Sequence, residues 1–234
     1  MNIPISNRLL ACCGFVRPGD RAADVGTDHG YLGIYLLKNG IASHVIAADL
    51  NEQPLHNAWS NARRYGVQEQ MTFCLSDGFQ KLPREFDVGV CAGMGADTMI
   101  SILRGAPWLA QGEYRLIFQC QSQRHALRRM LPELGWHITR EILAKDGKFI
   151  YTIMELMPGG EAVTPGQCYI SKPLLEAGGP LLPDFYDRIL GNLRRTVQGL
   201  EKACNHRDHD NLDFYRQALA ELEGWEEAIH GNGQ

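Results

Sequence analysis

The first 160 residues alternate short apolar runs with helix-like stretches, and glycines separate many of these segments. This alternation predicts parallel βαβ construction, in which each helix returns the chain to the same edge of one sheet. Gly40 and Gly66 follow two of the helix-like stretches and act as stop signals. The predicted strands are residues 22–25, 44–50, 71–75, 87–91 and 115–119, and the predicted helices are residues 31–38, 54–65, 97–103 and 124–134.

Two extended runs follow the last of these helices. They cover residues 136–143 and 149–156, and Asp146-Gly147 lies between them. Asp-Gly between two strand-like runs predicts a β-hairpin. One strand at this end of the sheet must then run antiparallel to the others, which separates the pattern from an all-parallel nicotinamide-binding domain.

The rest of the chain predicts a helical appendage. Residues 158–183 are rich in proline and glycine, as is typical of a linker with a short capping element. Beyond them, apolar residues recur three or four apart in two stretches, which predicts an antiparallel hairpin of two amphipathic helices joined by polar residues 205–211. We therefore divide the chain into a domain of residues 1–160 and a linker plus helical hairpin of residues 161–234. The apolar residues are Ile189, Leu193, Val197, Leu200 and Cys204, then Leu212, Tyr215, Leu219, Leu222, Trp225 and Ile229.

Charge and composition exclude few functions. Residues 1–160 carry 16 basic and 15 acidic residues, and residues 161–234 carry 7 basic and 12 acidic residues. These totals neither indicate nor exclude a nucleic-acid ligand.

No apolar run reaches the roughly 20 residues that span a bilayer, and the N-terminus lacks a secretory signal pattern. We expect a cytoplasmic protein without membrane contacts. The seven cysteines include no C-x-x-C pair, so we expect no metal site.

The loop after the first predicted strand is the strongest candidate for a binding site. It reads Asp24-Val25-Gly26-Thr27-Asp28-His29-Gly30, and open α/β sheets bind ligands at the carboxyl ends of their strands. Dinucleotide folds place three close glycines here, but this chain has a carboxylate at the middle position, which would repel a pyrophosphate. S-adenosylmethionine has no phosphate and carries sulfonium and ammonium cations. The loop therefore favours this methyl donor, with contacts from Asp24, Gly26, Thr27, Asp28 and Gly30.

The next three strand ends carry further candidate donor contacts. Asp49 follows the glycine loop by about 20 residues, the distance at which a carboxylate accepts hydrogen bonds from ribose hydroxyls. Asp49 could instead be a simple helix N-cap, and His29 could be a packed core histidine. The apolar residues of the helix after the loop, from Tyr31 to Leu37, are expected to face the core. The additional candidates for donor binding are Asp49, Leu50, Asn51, Asp77, Gly78, Gly93 and Met94.

Three segments carry a family resemblance. Residues 5–9, 24–32 and 92–95 resemble the bacterial tRNA adenine-N1 methyltransferases that modify position 22, the TrmK family. The helical hairpin is similar to the C-terminal coiled-coil domain of that family. The resemblance implies an α/β fold of class I methyltransferase type, with a Rossmann-like sheet that ends in an antiparallel hairpin. It also implies S-adenosyl-L-methionine as cofactor and tRNA as partner.

Methyl transfer to adenine N1 is an in-line displacement, so the protein mainly positions the base and stabilises charge. We expect Asp28 to stabilise the cation that develops on adenine and His29 to orient the base. The resemblance and the strand ends suggest substrate contacts from Arg8, Gln119, Gln121 and Arg124. Further arginines and lysines that could grip RNA are Arg63, Arg64, Arg128, Arg129, Arg194, Arg195 and Lys202.

Two other functions remain open at this point. A small-molecule methyltransferase would suit the acidic pI of about 6.1 and the lack of an obvious RNA-binding module. A noncatalytic module that binds the donor and uses the helical hairpin for a partner would also fit. The Asn/Asp-Pro-Pro-aromatic turn that serves methylation of exocyclic amines is absent after the fourth strand, where the chain reads Ala92-Gly93-Met94-Gly95.

Overall fold

A computed structural model describes residues 2–203 and 209–231 of the chain. Within this part, seven strands form one sheet in the order β3-β2-β1-β4-β5-β7-β6. The first five strands pair in parallel, whereas β7 runs antiparallel to both β5 and β6. The strands are β1 (Arg21–Val25), β2 (His44–Asp49), β3 (Met71–Leu75), β4 (Val88–Gly95), β5 (Arg115–Ser122), β6 (Trp136–Asp146) and β7 (Phe149–Pro158).

Helices connect the strands and form the C-terminal part. The Ser6 hydroxyl caps the first helix by accepting the Leu9 N–H, and Gly66 ends the third with φ +70°. In the described ranges, no helix combines the length and the apolar character that crossing a membrane requires. The helices are α1 (Asn7–Cys13), α2 (Tyr31–Lys38), α3 (Glu52–Tyr65), α4 (Ala96–Gly105), α5 (Arg124–Met130), α6 (Lys172–Ala177), α7 (Leu182–Ala203), α8 (His209–Gly224) and α9 (Glu226–Gly231).

The predicted sheet and its antiparallel end are confirmed, but some boundaries differ. β4 and β5 extend to Gly95 and Ser122, with register shifts around Met94, so the predicted loop after the fourth strand is an irregular continuation of it. The predicted helix over residues 124–134 is shorter. It ends at Met130 because Pro132 has no N–H to continue the hydrogen-bond ladder, and a 3₁₀ turn follows at Pro132–Leu134.

The predicted helical hairpin is present as α7 packed against α8 and α9. Ile189, Leu193 and Val197 are buried in a core that also takes Leu212 and Leu222 from the second stretch. That stretch is broken at Trp225, between α8 and α9, rather than forming one continuous helix. Cys204 and residues 205–208 of the predicted connection lie outside the described residues.

A buried ion pair joins the C-terminal part to the sheet. The Arg128 side chain is 1% exposed and donates to Glu141 on β6, which is fully buried. Arg128 Nη1 also donates to the carbonyls of Cys168 and Tyr169, each at 3.1 Å, and the Ser171 hydroxyl donates to the second Glu141 oxygen. The expectation that Arg128 grips RNA is therefore wrong, because its guanidinium is enclosed by the protein.

We predict that Glu141→Gln destabilises the fold by about 3 kcal/mol, because removing one partner leaves the Arg128 charge buried without a carboxylate. Glu176→Gln is the control, since Glu176 faces Lys172 at 4.0 Å on the exposed surface of α6. Its cost is expected to stay below about 1 kcal/mol. Urea unfolding measures both values, and equal costs for the two variants would contradict a structural role for the buried pair.

Candidate active site

A cavity of about 390 Å³ opens at the carboxyl ends of β1 and β4, beneath α1. It brings together residues from four separate parts of the sequence, as the parallel arrangement of the strands requires. Leu9, Tyr31, Leu32 and Ala92 also line it, although the sequence did not identify them as site residues. The predicted site residues on its wall are Arg8, Asp24, Gly26, Thr27, Asp28, His29, Gly93, Met94 and Gln121.

The loop after β1 is held in place by hydrogen bonds to the neighbouring strand. The N–H groups of Gly26 and Thr27 both donate to the Ala48 carbonyl, at 2.8 and 3.0 Å. Gly26 has φ +76°, a conformation that glycine adopts without strain, and Asp28 follows with φ +50°. These contacts direct the loop across the end of β1, so its side chains face the cavity.

Asp24 is a buried carboxylate at the base of the cavity. It is 5% exposed, and the Thr27 hydroxyl donates to its Oδ2 at 2.7 Å. Burial raises the pKa of the Asp24 carboxyl to about 6, although hydrogen bonds from Thr27 and the Gly33 backbone lower it; the charge of Asp49 also raises it. A cationic ligand group bound beside Asp24 would favour its ionised form.

Gly26 and Gly93 keep the cavity open. A Cβ on Gly26 would lie 2.3 Å from Met94 Cε, so any larger residue would push Met94 aside and fill the space between β1 and β4. Gly93 has φ +88°, which turns the chain at the irregular end of β4. The two glycines and the flexible Met94 side chain thus shape a slot with an apolar wall.

Arg8 and Gln119 connect α1 to the sheet. The Gln119 Oε1 atom accepts hydrogen bonds from Arg8 Nη1 and from the Gly93 N–H, the latter at 3.1 Å. Gln119 is fully buried and holds Arg8 in place, and a contact between Gln119 itself and substrate stays a prediction. Gln121, two residues further along β5, is exposed and reaches the cavity wall.

Asp28 and His29 form the exposed rim of the cavity. The Asp28 carboxylate is 69% exposed, and its Oδ2 lies 3.6 Å from His29 Nε2. The His29 ring is 52% exposed and stacks on Tyr31 with centroids 5.7 Å apart, so neither residue is a core side chain. The Asn61 amide donates to the His29 carbonyl at 3.0 Å and ties the rim to α3. The rim therefore presents one anion and two aromatic rings.

The ends of β2 and β3 continue the same edge of the sheet beyond the cavity wall. Asp49 Oδ1 accepts the Asn51 N–H at 3.0 Å, and the Asp49 carbonyl accepts the Ser76 N–H at 2.9 Å. Leu50 and Leu75 are 63% and 45% exposed at these ends, which is unusual for residues so close to buried strands. This stretch offers a carboxylate beside an apolar surface.

Two predicted donor contacts have packing roles. A Cβ on Gly30 would lie 3.0 Å from the Ala58 Cβ atom of α3, and a Cβ on Gly78 would lie 2.9 Å from an Ile102 methyl of α4. Both glycines let a helix approach closely and neither lines the cavity. Arg124 lines a neighbouring cleft rather than the cavity. No cluster of three or more metal-ligating side chains occurs in the described part of the chain.

Comparison with known families decides which class of enzyme this site belongs to. Residues 5–154, which contain every wall of the cavity, match the family model described as Methyltransferase domain. The chain belongs to this family. The fold class expected from the sequence, a Rossmann-like methyltransferase sheet followed by a helical segment, is confirmed as well.

Relatives of this methyltransferase domain confirm the resemblance to the TrmK family. The Bacillus subtilis tRNA (adenine(22)-N(1))-methyltransferase is 29% identical over 148 residues, 62% of each chain. A Mycoplasma genitalium protein provisionally named tRNA methyltransferase MG248 is 32% identical over 134 residues, 56% of this chain and 59% of that protein. The matched segment thus spans about 60% of the length of these curated relatives.

A solved structure extends the likeness to nearly the whole chain. Streptococcus pneumoniae Sp1610, provisionally named a tRNA (m1A22) methyltransferase, was solved in complex with S-adenosyl-L-methionine. It is 25% identical, with a TM-score of 0.74, and the match covers 92% of this chain and 99% of that one. The helical hairpin is therefore part of the shared architecture.

We predict that Asp24→Asn stabilises the methyltransferase without ligand by roughly 1–3 kcal/mol at pH 8. The folded pKa of about 6 exceeds the ordinary value of 3.8, so the buried charge costs nothing below pH 3.8 and its full cost is present above pH 6. The gain must therefore shrink as the pH falls from 6 to 4. Unfolding curves at several pH values test this, with Asp28→Asn as an exposed control; a gain independent of pH would contradict the assignment.

Proposed function

We propose that the protein transfers the methyl group of S-adenosylmethionine to N1 of the adenine at position 22 of tRNA. The observation that carries the proposal is the carboxylate pair on one cavity wall, with Asp24 buried and Asp28 exposed. This pair suits a donor that is cationic and has no phosphate. The names of the relatives and the donor bound to Sp1610 support the same reaction.

Each donor group has a candidate partner in this arrangement. The α-ammonium group would pair with Asp24 and restore the charge that burial disfavours. Asp49 would accept hydrogen bonds from the ribose, and the exposed Leu50 offers an apolar surface to the adenine ring. Met94 would contact the methionine chain in the slot beside Gly26. The other donor contacts that we propose are Thr27, Asn51, Asp77 and Gly93.

In this reaction the protein positions the adenine and stabilises the charge that develops on it, and no covalent intermediate with the protein forms. The donor supplies an electrophilic methyl group whose carbon–sulfur bond breaks as the adenine N1 lone pair forms the new carbon–nitrogen bond. The adenine becomes cationic and the sulfur becomes neutral, so no proton has to leave N1. Asp28 would stabilise the new cation from the rim, and His29 and Tyr31 would hold the base beside it.

We also propose that the two parts of the chain have different roles. Residues 1–160 would bind the donor and the nucleotides around the reacting base, and residues 161–234 would add contacts to the rest of the RNA. Arg8 and Gln121 stand at the cavity wall, where the flipped adenine must enter. A tRNA substrate would place the enzyme in the cytoplasm.

Incubation of unmodified tRNA with labelled donor, followed by nucleoside mass spectrometry, tests the proposal. We expect label in N1-methyladenosine and none in N6-methyladenosine. Transfer to small molecules but not to tRNA would favour a small-molecule methyltransferase. Donor binding without transfer to any RNA would favour a noncatalytic module, and either result would contradict the proposal.

We predict that Asp49→Ala weakens donor binding by about 10- to 100-fold, because it removes a charge-assisted hydrogen bond to the ribose. Isothermal calorimetry with S-adenosylhomocysteine measures the change. Asp87→Ala is the control. Asp87 is also an aspartate at a strand end, but it lies at the amino ends of β1 and β4, away from the cavity, where its carboxylate accepts the Arg21 N–H. Unchanged affinity in folded Asp49→Ala would remove this residue from the donor site.

For Asp28→Asn we expect kcat to fall by roughly 10²–10³, the usual cost of losing one preorganised electrostatic contact. Affinity for tRNA should change little, since phosphate contacts elsewhere dominate it. Single-turnover transfer at saturating donor isolates the chemical step. A wild-type rate would make Asp28 a structural loop residue, and a loss of donor affinity alone would limit its role to donor binding.

A further inference from the structure

A second cleft lies beside the cavity, where α5 faces α7 and α8. Its volume is about 300 Å³, and Gln121 lines both the cleft and the cavity. We name it the junction cleft and define it by Gln121, Arg124, His125, Tyr169, Asn192 and Tyr215. Because the two spaces share Gln121, the junction cleft adjoins the cavity, and a polymer that crosses Gln121 would contact both.

The junction cleft is free of acidic side chains in the described part of the chain. This is unexpected, because residues 161–234 carry 12 acidic and only 7 basic residues and contribute much of its wall. Acidic groups of the helical hairpin, such as Glu201 and Glu223, instead pair with arginines on its exposed surface. The distribution of charge therefore leaves this cleft suited to an anion.

Arg124 is the cationic group that an anion would meet there. Its guanidinium lies 5.3 Å from the Phe185 ring centroid, and among the described residues no carboxylate is within salt-bridge distance of it. Burial lowers the pKa of Arg124, and so does the nearby charge of Arg128. Glu141 forms a salt bridge with Arg128 and its charge also raises the pKa of Arg124, but no described carboxylate forms a salt bridge with Arg124 itself. A phosphate would supply the missing negative charge, and its oxygens match the guanidinium donors.

Aromatic rings line the same cleft in a fixed arrangement. His125 stacks on Tyr169 with centroids 5.0 Å apart and planes only 4° from parallel, and Tyr215 approaches His125 edge-on at 6.4 Å. The Tyr169 backbone is held by the Arg128 hydrogen bond to its carbonyl. Rings held in this way offer stacking surfaces for a nucleobase at little cost in side-chain entropy.

We propose that the junction cleft binds the nucleotide next to the methylated adenine, with its phosphate on Arg124 and its base against His125 and Tyr215. The inference rests on the proposed function. An adenine that leaves the RNA stack to enter the cavity deprives its neighbour of a stacking partner. The rings of the junction cleft replace that partner, so the enzyme would hold the strand open at two adjacent nucleotides.

Binding of an unmodified tRNA transcript to full-length variants at several salt concentrations tests this inference. We expect Arg124→Gln to weaken tRNA binding by about 10-fold and to reduce the slope of log K against log salt by about one. Arg124→Lys should recover the slope because it keeps the charge. Arg104→Gln is the control, because Arg104 is exposed in the last turn of α4, away from this edge.

Tyr215→Leu tests the stacking contact without removing a buried charge. We expect about 10-fold weaker tRNA binding with an unchanged salt slope, and recovery of most of the affinity in Tyr215→Phe, which keeps the ring. Donor affinity, measured by calorimetry, should match that of the wild type in all these variants and shows that they are folded. Loss of the phosphate contact thus changes the salt slope, whereas loss of the stacking contact lowers the affinity without changing it.

The outcomes separate this inference from the proposed function. If the wild type methylates tRNA but Arg124→Gln and Tyr215→Leu bind it like Arg104→Gln, the junction cleft is not an RNA site and the proposed function stands. If the variants weaken tRNA binding but the wild type transfers no methyl group, the junction cleft is an RNA site, but the proposed reaction fails and with it the claim that the bound nucleotide adjoins a methylated adenine. A wild type that does not bind tRNA would overturn both.

Discussion

The parallel pairing of β1, β2, β4 and β5 is the constraint on which the rest of the site depends. It directs their carboxyl ends to one edge, so that residues far apart in sequence, such as Asp24, Met94 and Gln121, share one cavity. The same arrangement lowers the stability of the fold, because it encloses the Asp24 carboxylate in protein, where burial raises its pKa to about 6. The buried carboxylate makes the protein without ligand less stable, and the cationic donor group that we propose beside Asp24 would offset this loss.

The buried pair of Arg128 and Glu141 sets the relation between the sheet and the helical hairpin. Because Arg128 also holds the carbonyls of Cys168 and Tyr169, the segment after the sheet is fixed beside α5 rather than being a free linker. Leu143 and Ile150 of the β6–β7 hairpin pack against the core of α7 and α8, which adds an apolar contact. The junction cleft exists because these contacts hold α7 opposite the end of β5.

Sequence patterns predicted the strands, the antiparallel end of the sheet and the loop that builds the cavity, because these depend on local periodicity and on glycine positions. The pattern could not tell the buried Arg128 from its solvated neighbour Arg129, since the difference lies in a partner on β6. Nor could it tell that Gln119 is buried while Gln121 is exposed, because residues two apart fall on the same face of a regular strand and these two differ in how close they lie to the exposed end of β5. Tyr31 was expected in the core, but its position at the first turn of α2 places it on the cavity wall.

The most direct test of the account uses two tRNA transcripts that differ only at position 22, one with adenine and one with guanine. The protein and labelled S-adenosylmethionine are incubated with each, and the products are digested and mapped by mass spectrometry. The account predicts N1-methyladenosine at position 22 of the first transcript and no label in the second. Equal labelling of both transcripts, or label at another position, would contradict it.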